Sequence, residues 1–340
     1  MEEIKKTISV CICTYNQEAY IEKAIRSVVE QTRKPLEVIV SDDCSTDATS
    51  TILNRLQAEI SFLRVIRQPT NLGIAKNVDS CLRLASGEFI VRLDSDDYLE
   101  PSYIEKLADA LYKHTDAGYA HASVREVDEY GHYLRERKLF RSAGFQSDVE
   151  ALKASLKGYR VAANILMFRK SALERVNFLS GRPNFGEDYH LTAAISDAGF
   201  GNVYLSETLA FYRVWTDPKK VRTRRKRGEI EGLRKVFDEV ISPAFLSRNW
   251  PTQMLIKRRT QLACIHADCL GWDVFENDEK LILADELLKL SPAVSVRLLS
   301  WVYLNGYGGM IEYYNETKGN CKQKLKSIVP GWLIRMRYAE

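Results

Sequence analysis

Five aspartates of this sequence stand where short, mostly apolar runs end. Ile8–Cys13 leads into Thr14-Tyr15-Asn16, Leu36–Val40 into Ser41-Asp42-Asp43, and Glu88–Leu93 into Asp94-Ser95-Asp96-Asp97. If the three runs are neighbouring strands of one open α/β sheet, these polar residues meet on one rim. That rim, outside the carboxyl ends of the strands, is where such sheets bind ligands. Up to five carboxylates there repel one another unless a cation or donor groups offset their charge. Phosphate-handling enzymes use such clusters by letting one or two carboxylates share Mg2+ or Mn2+ with substrate oxygens. Helix capping is the competing use of any single Asp. It is the favoured reading of Asp47, whereas three acids at 94, 96 and 97 exceed what one cap requires.

The elements that must position these residues follow from the apolar spacing. Ile21, Ala24, Ile25, Val28 and Val29 form the stripe of a one-sided helix within Glu18–Gln31, and Asn16 is placed to cap it. A helix from about Asp47 carries Ile52, Leu53 and Leu56. Phe62–Ile66 reads as a strand, Ala75–Ala85 as a helix, and Pro101 suits the first turn of another. Further strands are expected at Gly118–Val127, Val161–Phe168 and Val203–Val214, with a helix from Glu187 to Ala198. The expected fold is α/β: a mixed, mostly parallel sheet flanked by helices. After Asp217-Pro218 the basic stretch Lys219–Arg227 opens a run of helical patterns, clearest at Leu281–Leu290. The boundary is therefore placed at residues 1–220 and 221–340.

Composition bounds the answer. With 340 residues, 45% hydrophobic and 28% charged, the chain has the make-up of a globular protein of about two domains. Nine Pro and 18 Gly exclude a collagen-like or Pro/Gly-dominated chain. No apolar run approaches the roughly 18 residues of a membrane-spanning helix, and no secretory signal opens the sequence. The expectation is a cytoplasmic protein, soluble or peripheral on the inner face of the plasma membrane. Seven cysteines without a C-x-x-C pair read as buried reduced thiols.

Charge is uneven along the chain: residues from Lys219 onward carry a net +8, those before it −4. The run Arg222-Thr223-Arg224-Arg225-Lys226-Arg227 suits a lid reaching a diphosphate or a patch facing anionic lipid. Leu325–Arg337 mixes Trp332, Leu333 and Ile334 with basic residues, as an interfacial anchor or a packed terminal helix would. No nucleic-acid-binding motif accompanies the basic run, so nucleic acid is not an expected partner.

Neither a Walker A sequence nor G-x-G-x-x-G follows the first strand, which demotes P-loop kinases and nicotinamide dehydrogenases. The residues do carry a resemblance. Val10–Asn16 resembles the opening strand of family 2 glycosyltransferases with the GT-A fold. Ser41-Asp42-Asp43-Cys44-Ser45-Thr46-Asp47 is similar to their "DDGSTD" segment, and Asn71-Leu72-Gly73-Ile74-Ala75-Lys76-Asn77 to their "N-x-G…N" helix entry. Gly87–Asp97 looks like the segment carrying the DxD motif, Gly186-Glu187-Asp188 like the late "ED" pair, and Tyr212-Arg213 like the closing "YR". The six blocks stand in the family's order over residues 8–215.

The resemblance implies an inverting transfer of a sugar from a nucleotide diphosphate, with uridine the expected base, to a hydroxyl of a glycan or lipid-linked glycan. It implies that Thr14 and Tyr15 contact the base and that Asp42 bonds its edge. Asn16, Glu18 and Asp43 would join them, as would Asn71, Gly73 and Asn77 from the helix entry. Asp94 and Asp96 would flank the ribose and a Mn2+ or Mg2+, Asp96 touching the metal, with Ser95 and Arg213 also on the nucleotide side. Asp188 would be the general base, beside Glu187.

Three departures matter. Cys13 replaces a frequent Pro and Cys44 a usual Gly, and Val214-Trp215-Thr216 lacks the His that many relatives place two residues after the Arg. Trp215 would either stack on a ligand or pack in the core. Asp188 is expected in the first turn of a helix, where the dipole lowers its pKa while Glu187 pushes the other way. A sugar-phosphate nucleotidyltransferase is disfavoured because Cys13–Glu18 holds no Gly-rich basic loop. A catalytically silent binding scaffold stays open, although Asp42, Asp94, Asp96 and Asp188 are all present.

Overall fold

The computed structural model describes residues 7–216, 221–311 and 313. Four strands alternate with three helices at the start: β1 (Ile8–Thr14), α1 (Ile21–Val29), β2 (Glu37–Asp42), α2 (Thr49–Glu59), β3 (Leu63–Arg67), α3 (Ile74–Leu84) and β4 (Phe89–Asp94). There follow β5 (Tyr98–Leu99), α4 (Tyr103–Lys113), β6 (Ala117–Val127), β7 (Tyr133–Arg137), β8 (Gly144–Gln146), α5 (Asp148–Ser155), β9 (Leu166–Arg169), α6 (Lys170–Arg175), α7 (Glu187–Asp197) and β10 (Gly201–Arg213). The strands form one sheet in the order β3-β2-β1-β4-β9-β6-β10-β5, with β7 on β6 and β8 on β10. The pairs β1–β2, β1–β4, β2–β3 and β6–β10 are parallel, and β9 runs antiparallel between β4 and β6.

Both faces of the parallel strands are covered, so their sequences are apolar at nearly every position. Alternation still sorts the side chains. Val10, Ile12, Val38 and Val40 pack with Ile25 and Val28 of α1, Leu53 and Leu56 of α2, and Leu107 and Leu111 of α4. Cys11, Ile39 and Ile90 face the other way, onto Val78 and Leu82 of α3, Leu173 of α6, and Leu191 and Ile195 of α7. Each such large side chain taken from water contributes about 1.5–3 kcal/mol before entropy is counted.

Two expected elements differ. Helix α1 begins at Ile21 with Tyr20 at its cap position, so Asn16 does not cap it. Of the strand expected over Val161–Phe168 only Leu166–Arg169 pairs, although Val161, Ala162 and Ala163 are buried. A short buried apolar run has the same composition whether it pairs or packs as a loop.

Contacts divide the described residues into two units. One holds those up to Val221 together with Glu231–Leu255, and the other holds Arg222–Ile230 with those from Ile256 onward. Glu231–Leu255 thus clusters with the sheet, not with the C-terminal extension in which the sequence boundary put it. Beyond β10 the elements among the described residues are helical: α8 (Val221–Arg224), α9 (Lys226–Lys235), a π-helical stretch Val236–Ile241, α10 (Ser242–Ser247), α11 (Gln253–His266), a 3-10 turn, α12 (Asn277–Leu290) and α13 (Val294–Leu304). Among the described residues no helix is long and apolar enough to cross a membrane. All six cysteines there are free. The basic run is described from Val221, and Arg224, Arg225 and Arg227 in it are exposed. Leu325–Arg337, read as an interfacial anchor or a packed helix, lies outside the described residues.

Candidate active site

The register of the sheet sets the rim. Thr14 pairs with Asp42 across β1 and β2, and Cys13 pairs with Asp94 across β1 and β4. The carboxyl ends of three adjacent strands therefore bring Thr14, Asp42 and Asp94 side by side. Asp42 is buried and accepts from Ser45 N at 3.1 Å through Oδ1. Its Oδ2 has no hydrogen-bond partner, with the Arg67 guanidinium 3.4 Å away. Thr14 Oγ1 is likewise buried and unpartnered. Two such neighbouring groups are costly unless a ligand completes them. Tyr15 beside them is half exposed.

Several residues expected around a nucleotide brace the loops that form the rim. Asp43 accepts from Leu72 N at 2.7 Å and Gly73 N at 2.9 Å. Asn71 Oδ1 adds a second acceptor for Gly73 N at 3.1 Å. Asn77 is buried and exchanges two bonds with Ser41, 2.6 Å to its hydroxyl and 3.0 Å to its carbonyl. Glu18 accepts from Ala48 N at 2.7 Å, while Asp47 accepts from Thr49 N and Glu18 N; the cap position of α2 is Ala48, one residue past the Asp47 expected there. Asn16, at φ 52°, accepts from Thr46 N at 2.8 Å and so ties the first loop to the second. Most of these bonds tie one stretch of chain to another and so fix the loops of the rim.

After β4 the acids diverge in environment. Asp94 is half-buried at the rim, and Ser95 is buried. Asp96 accepts from the Trp215 indole N–H at 2.6 Å, and burial together with the charge of Asp94 raises its pKa. Asp97 is buried and accepts from Arg213 N at 2.7 Å, and burial holds its pKa well above the carboxylate range. Arg213 gives Nε to the Asp96 carbonyl at 3.0 Å and Nη1 to the carbonyls of Asp128 and Glu129 at 2.7 and 2.9 Å. It is a strut between two loops. Trp215 neither stacks flat nor enters the core. It meets Tyr20 edge-on at 5.2 Å and holds the Asp96 carboxylate.

Glu187 and Asp188 open α7, behind Gly186 in the left-handed conformation at φ 73°. Gly232, on the segment that follows β10 in the same unit, lies so close to Phe185 that a Cβ there would fall 1.9 Å from its carbonyl oxygen. No side chain is tolerated at 232 while the loop into α7 keeps this path. The link from α7 to the rim is Arg92, a residue that sequence reading passed over. It is 3% exposed on β4, with Nη2 3.2 Å from Glu187 Oε1 and Nε 3.5 Å from Asp94 Oδ1. Burial works against this charge, yet Asp94, Glu187 and Asp188 together hold its pKa above the ordinary guanidinium value.

Asp188 accepts from Tyr189 N at 2.8 Å. Its pKa is raised, because desolvation outweighs Arg92 and the helix end. The lowering expected from the dipole is thus reversed by burial. Glu187 is raised as well, by burial and by Asp188.

Asp94 and Asp96 supply hard oxygen donors, and the mutual repulsion that lifts Asp96 is what a divalent cation relieves. Among the described residues no group of three or more His, Cys, Asp or Glu is arranged to hold a metal ion. A cation held by this pair would take its remaining ligands from phosphate, not from a protein cage.

The family model "Glycosyl transferase family 2" matches residues 9–176. An uncharacterized glycosyltransferase of Haemophilus influenzae is 28% identical over 213 residues, 61% of this chain and 65% of that protein. The GalNAc(5)-diNAcBac-PP-undecaprenol beta-1,3-glucosyltransferase of Campylobacter jejuni is 32% identical over 178 residues, 50% of this chain and 54% of that protein. The chain thus spans less than two thirds of the length of either relative. Among solved structures, S. aureus TarS 1–349 superposes with a TM-score of 0.65 at 18% identity, covering 92% of each chain. The same protein has been solved in complex with UDP-GlcNAc, a match with a TM-score of 0.56.

Proposed function

The chain belongs to glycosyltransferase family 2, and on that premise we propose that it transfers a sugar from a nucleotide diphosphate, UDP above others, to a hydroxyl of a glycan or lipid-linked glycan. The observation that carries this reading is the pair of buried atoms without a hydrogen-bond partner, Thr14 Oγ1 and Asp42 Oδ2, beside Asp94 on one rim. Thr14 can donate and Asp42 can accept, so together they complete a pyrimidine edge bearing an acceptor and an N–H. Tyr15, half exposed at the same strand end, offers a ring face to the base. The UDP-GlcNAc complex of the S. aureus structure supports a uridine donor by analogy of fold. The lipid-linked glycan in the name of the C. jejuni relative supports the acceptor class in the same way.

Asp94 and Asp96 would hold the Mn2+ or Mg2+. Bound there, such a cation supplies charge neutralisation for the departing diphosphate. Asp188 takes the proton of the acceptor hydroxyl, whose oxygen attacks the anomeric carbon from the face opposite the diphosphate. One carbon–oxygen bond forms as the other breaks, and the configuration inverts. Its raised pKa makes Asp188 a stronger base than a free carboxylate, while Arg92 limits the rise and keeps the ionised form accessible. Glu187 anchors Arg92 beside it. Peripheral attachment to anionic lipid, through the exposed arginines of the 222–227 run, is the corresponding proposal for location.

A panel of nucleotide sugars tests the donor. The expected result is cation-dependent release of UDP, slow without acceptor and faster with a glycan acceptor. Release confined to a guanosine or thymidine donor would overturn the uridine assignment, and no release from any donor would return the silent scaffold.

A further inference from the structure

The β6–β7 turn carries three exposed rings on an unusually well-fixed backbone. Asp128 Oδ1 accepts from Tyr130 N at 2.9 Å and His132 N at 2.8 Å, and its Oδ2 lies 3.0 Å from His132 Nδ1. The Asp128 and Glu129 carbonyls receive Arg213 Nη1, and Arg213 Nε binds the Asp96 carbonyl. One guanidinium therefore indexes this turn directly to the loop that bears the candidate metal ligand. Thr216 Oγ1 adds a bond to Glu129 Oε2 at 3.1 Å. On this fixed turn Tyr130 is 79% exposed and Tyr133 60%, and the Tyr130 and His132 rings stand 6.1 Å apart at 41°. Lys23 Nζ, held over the Tyr98 ring at 3.6 Å, lies 3.9 Å from where a Cβ of Gly131 would stand.

Ordering a backbone costs conformational entropy, and a turn meant only to reverse the chain does not need six such bonds. A backbone already fixed beneath exposed rings has lost its own share of that entropy before any ligand arrives, as preorganised binding surfaces do. A pyranose fits this surface: its C–H face packs on a tyrosine ring, and its hydroxyls find the His132 ring and the Lys23 ammonium. A tyrosine offers an apolar body and a polar tip for such a ligand.

We propose that Tyr130 and His132, flanked by Lys23, form a subsite for a pyranosyl residue of the acceptor glycan. The assignment rests on the glycosyltransfer reading of the neighbouring rim and adds the place where the acceptor chain is held. It sits on the turn that ends β6, at the edge of the sheet where β4 and β10 deliver Asp94 and Arg213.

The test uses the full chain, fluorescently labelled, on an array of neutral and acidic oligosaccharides with UDP and Mn2+ present. UDP affinity is measured on the same samples by calorimetry. The expected result is binding of at least one pyranosyl class that weakens about tenfold in Tyr130→Ala and is retained in Tyr130→Trp, with UDP affinity unchanged in both. Should Tyr130→Ala fold poorly, 3-fluorotyrosine at position 130 reads the same contact as a saturable 19F shift with the bound glycan. UDP binding with no glycan bound, or glycan binding indifferent to residue 130, overturns the subsite. Glycan binding lost in Tyr130→Ala without any UDP binding would uphold the subsite and remove the donor reading instead. Binding that tracks protein concentration and not the glycan, as self-association or lipid-like adsorption would, also overturns it.

Discussion

Arg92 joins Asp94 to Glu187, 3.5 Å from one carboxylate and 3.2 Å from the other, across 93 residues of chain. One buried cation thus balances the acid at the end of β4 and the acid pair at the start of α7. Arg92→Met removes that balance and leaves buried carboxylates uncompensated, a loss of about 3–5 kcal/mol for a broken buried pair. Glu187 and Asp188 already have raised pKa values, so protonated forms are favoured in the fold. Stability tied to them is complete below the unfolded carboxylate pKa and is lost as pH rises through the folded value. The melting temperature of Arg92→Met should therefore fall further below the native protein at pH 8 than at pH 5. An equal deficit at both pH values would contradict this balance.

The base assignment makes a separate statement. Asp188→Asn should abolish transfer while UDP titrates as in the native chain. Because burial raises the Asp188 pKa, the acid limb of the native pH–rate profile should lie above the ordinary Asp value of about 3.9. Full turnover by Asp188→Asn would remove Asp188 from the base role.

Cys44 adopts φ 63°, the left-handed conformation its segment ordinarily gives to Gly. Cys44→Gly relieves the Cβ clash of that conformation and should stabilise the fold by about 1 kcal/mol, read as a higher urea midpoint at constant m-value. A lower midpoint would mean that the thiol makes a contact outweighing the strain.

Trp215 stands where a His is frequent and donates to Asp96 at 2.6 Å. Trp215→Phe keeps a ring against Tyr20 but removes the donor, costing about 1.5–3 kcal/mol for a bond to a charged group. Because burial raises the Asp96 pKa, urea unfolding should show that loss most fully at the alkaline end of the stable range. It should shrink as pH falls and Asp96 protonates.

Much of the rim was legible because strand period and acidic strand ends are written locally. Thr14, Asp42 and Asp94 needed only the assumption that their strands are neighbours. Arg92 was invisible for the opposite reason: in Phe-Ile-Val-Arg-Leu-Asp it is one charge in an apolar strand, and its partner Glu187 lies far along the chain. Asn77 and Asp43 look like ligands in sequence, since one polar residue near a site reads the same whether it grips substrate or a loop carbonyl. Only the bonds to Ser41, Leu72 and Gly73 tell them apart. For Asp188 the sequence shows the helix end and Glu187, but burial, which it does not show, decides the direction of the pKa. Likewise Glu231–Leu255 joined the sheet unit through contacts such as Gly232 on Phe185, which no composition shift marks.

The central claim, a nucleotide-diphosphate site completed by a cation between Asp94 and Asp96, is tested most directly by calorimetric titration. UDP, GDP and dTDP are each added with and without Mn2+ to the native chain and to Asp96→Asn. The expected result is Mn2+-dependent binding of UDP that is lost in the variant. Absence of binding by all three nucleotides, or UDP binding equally tight without Mn2+ and in Asp96→Asn, would contradict it.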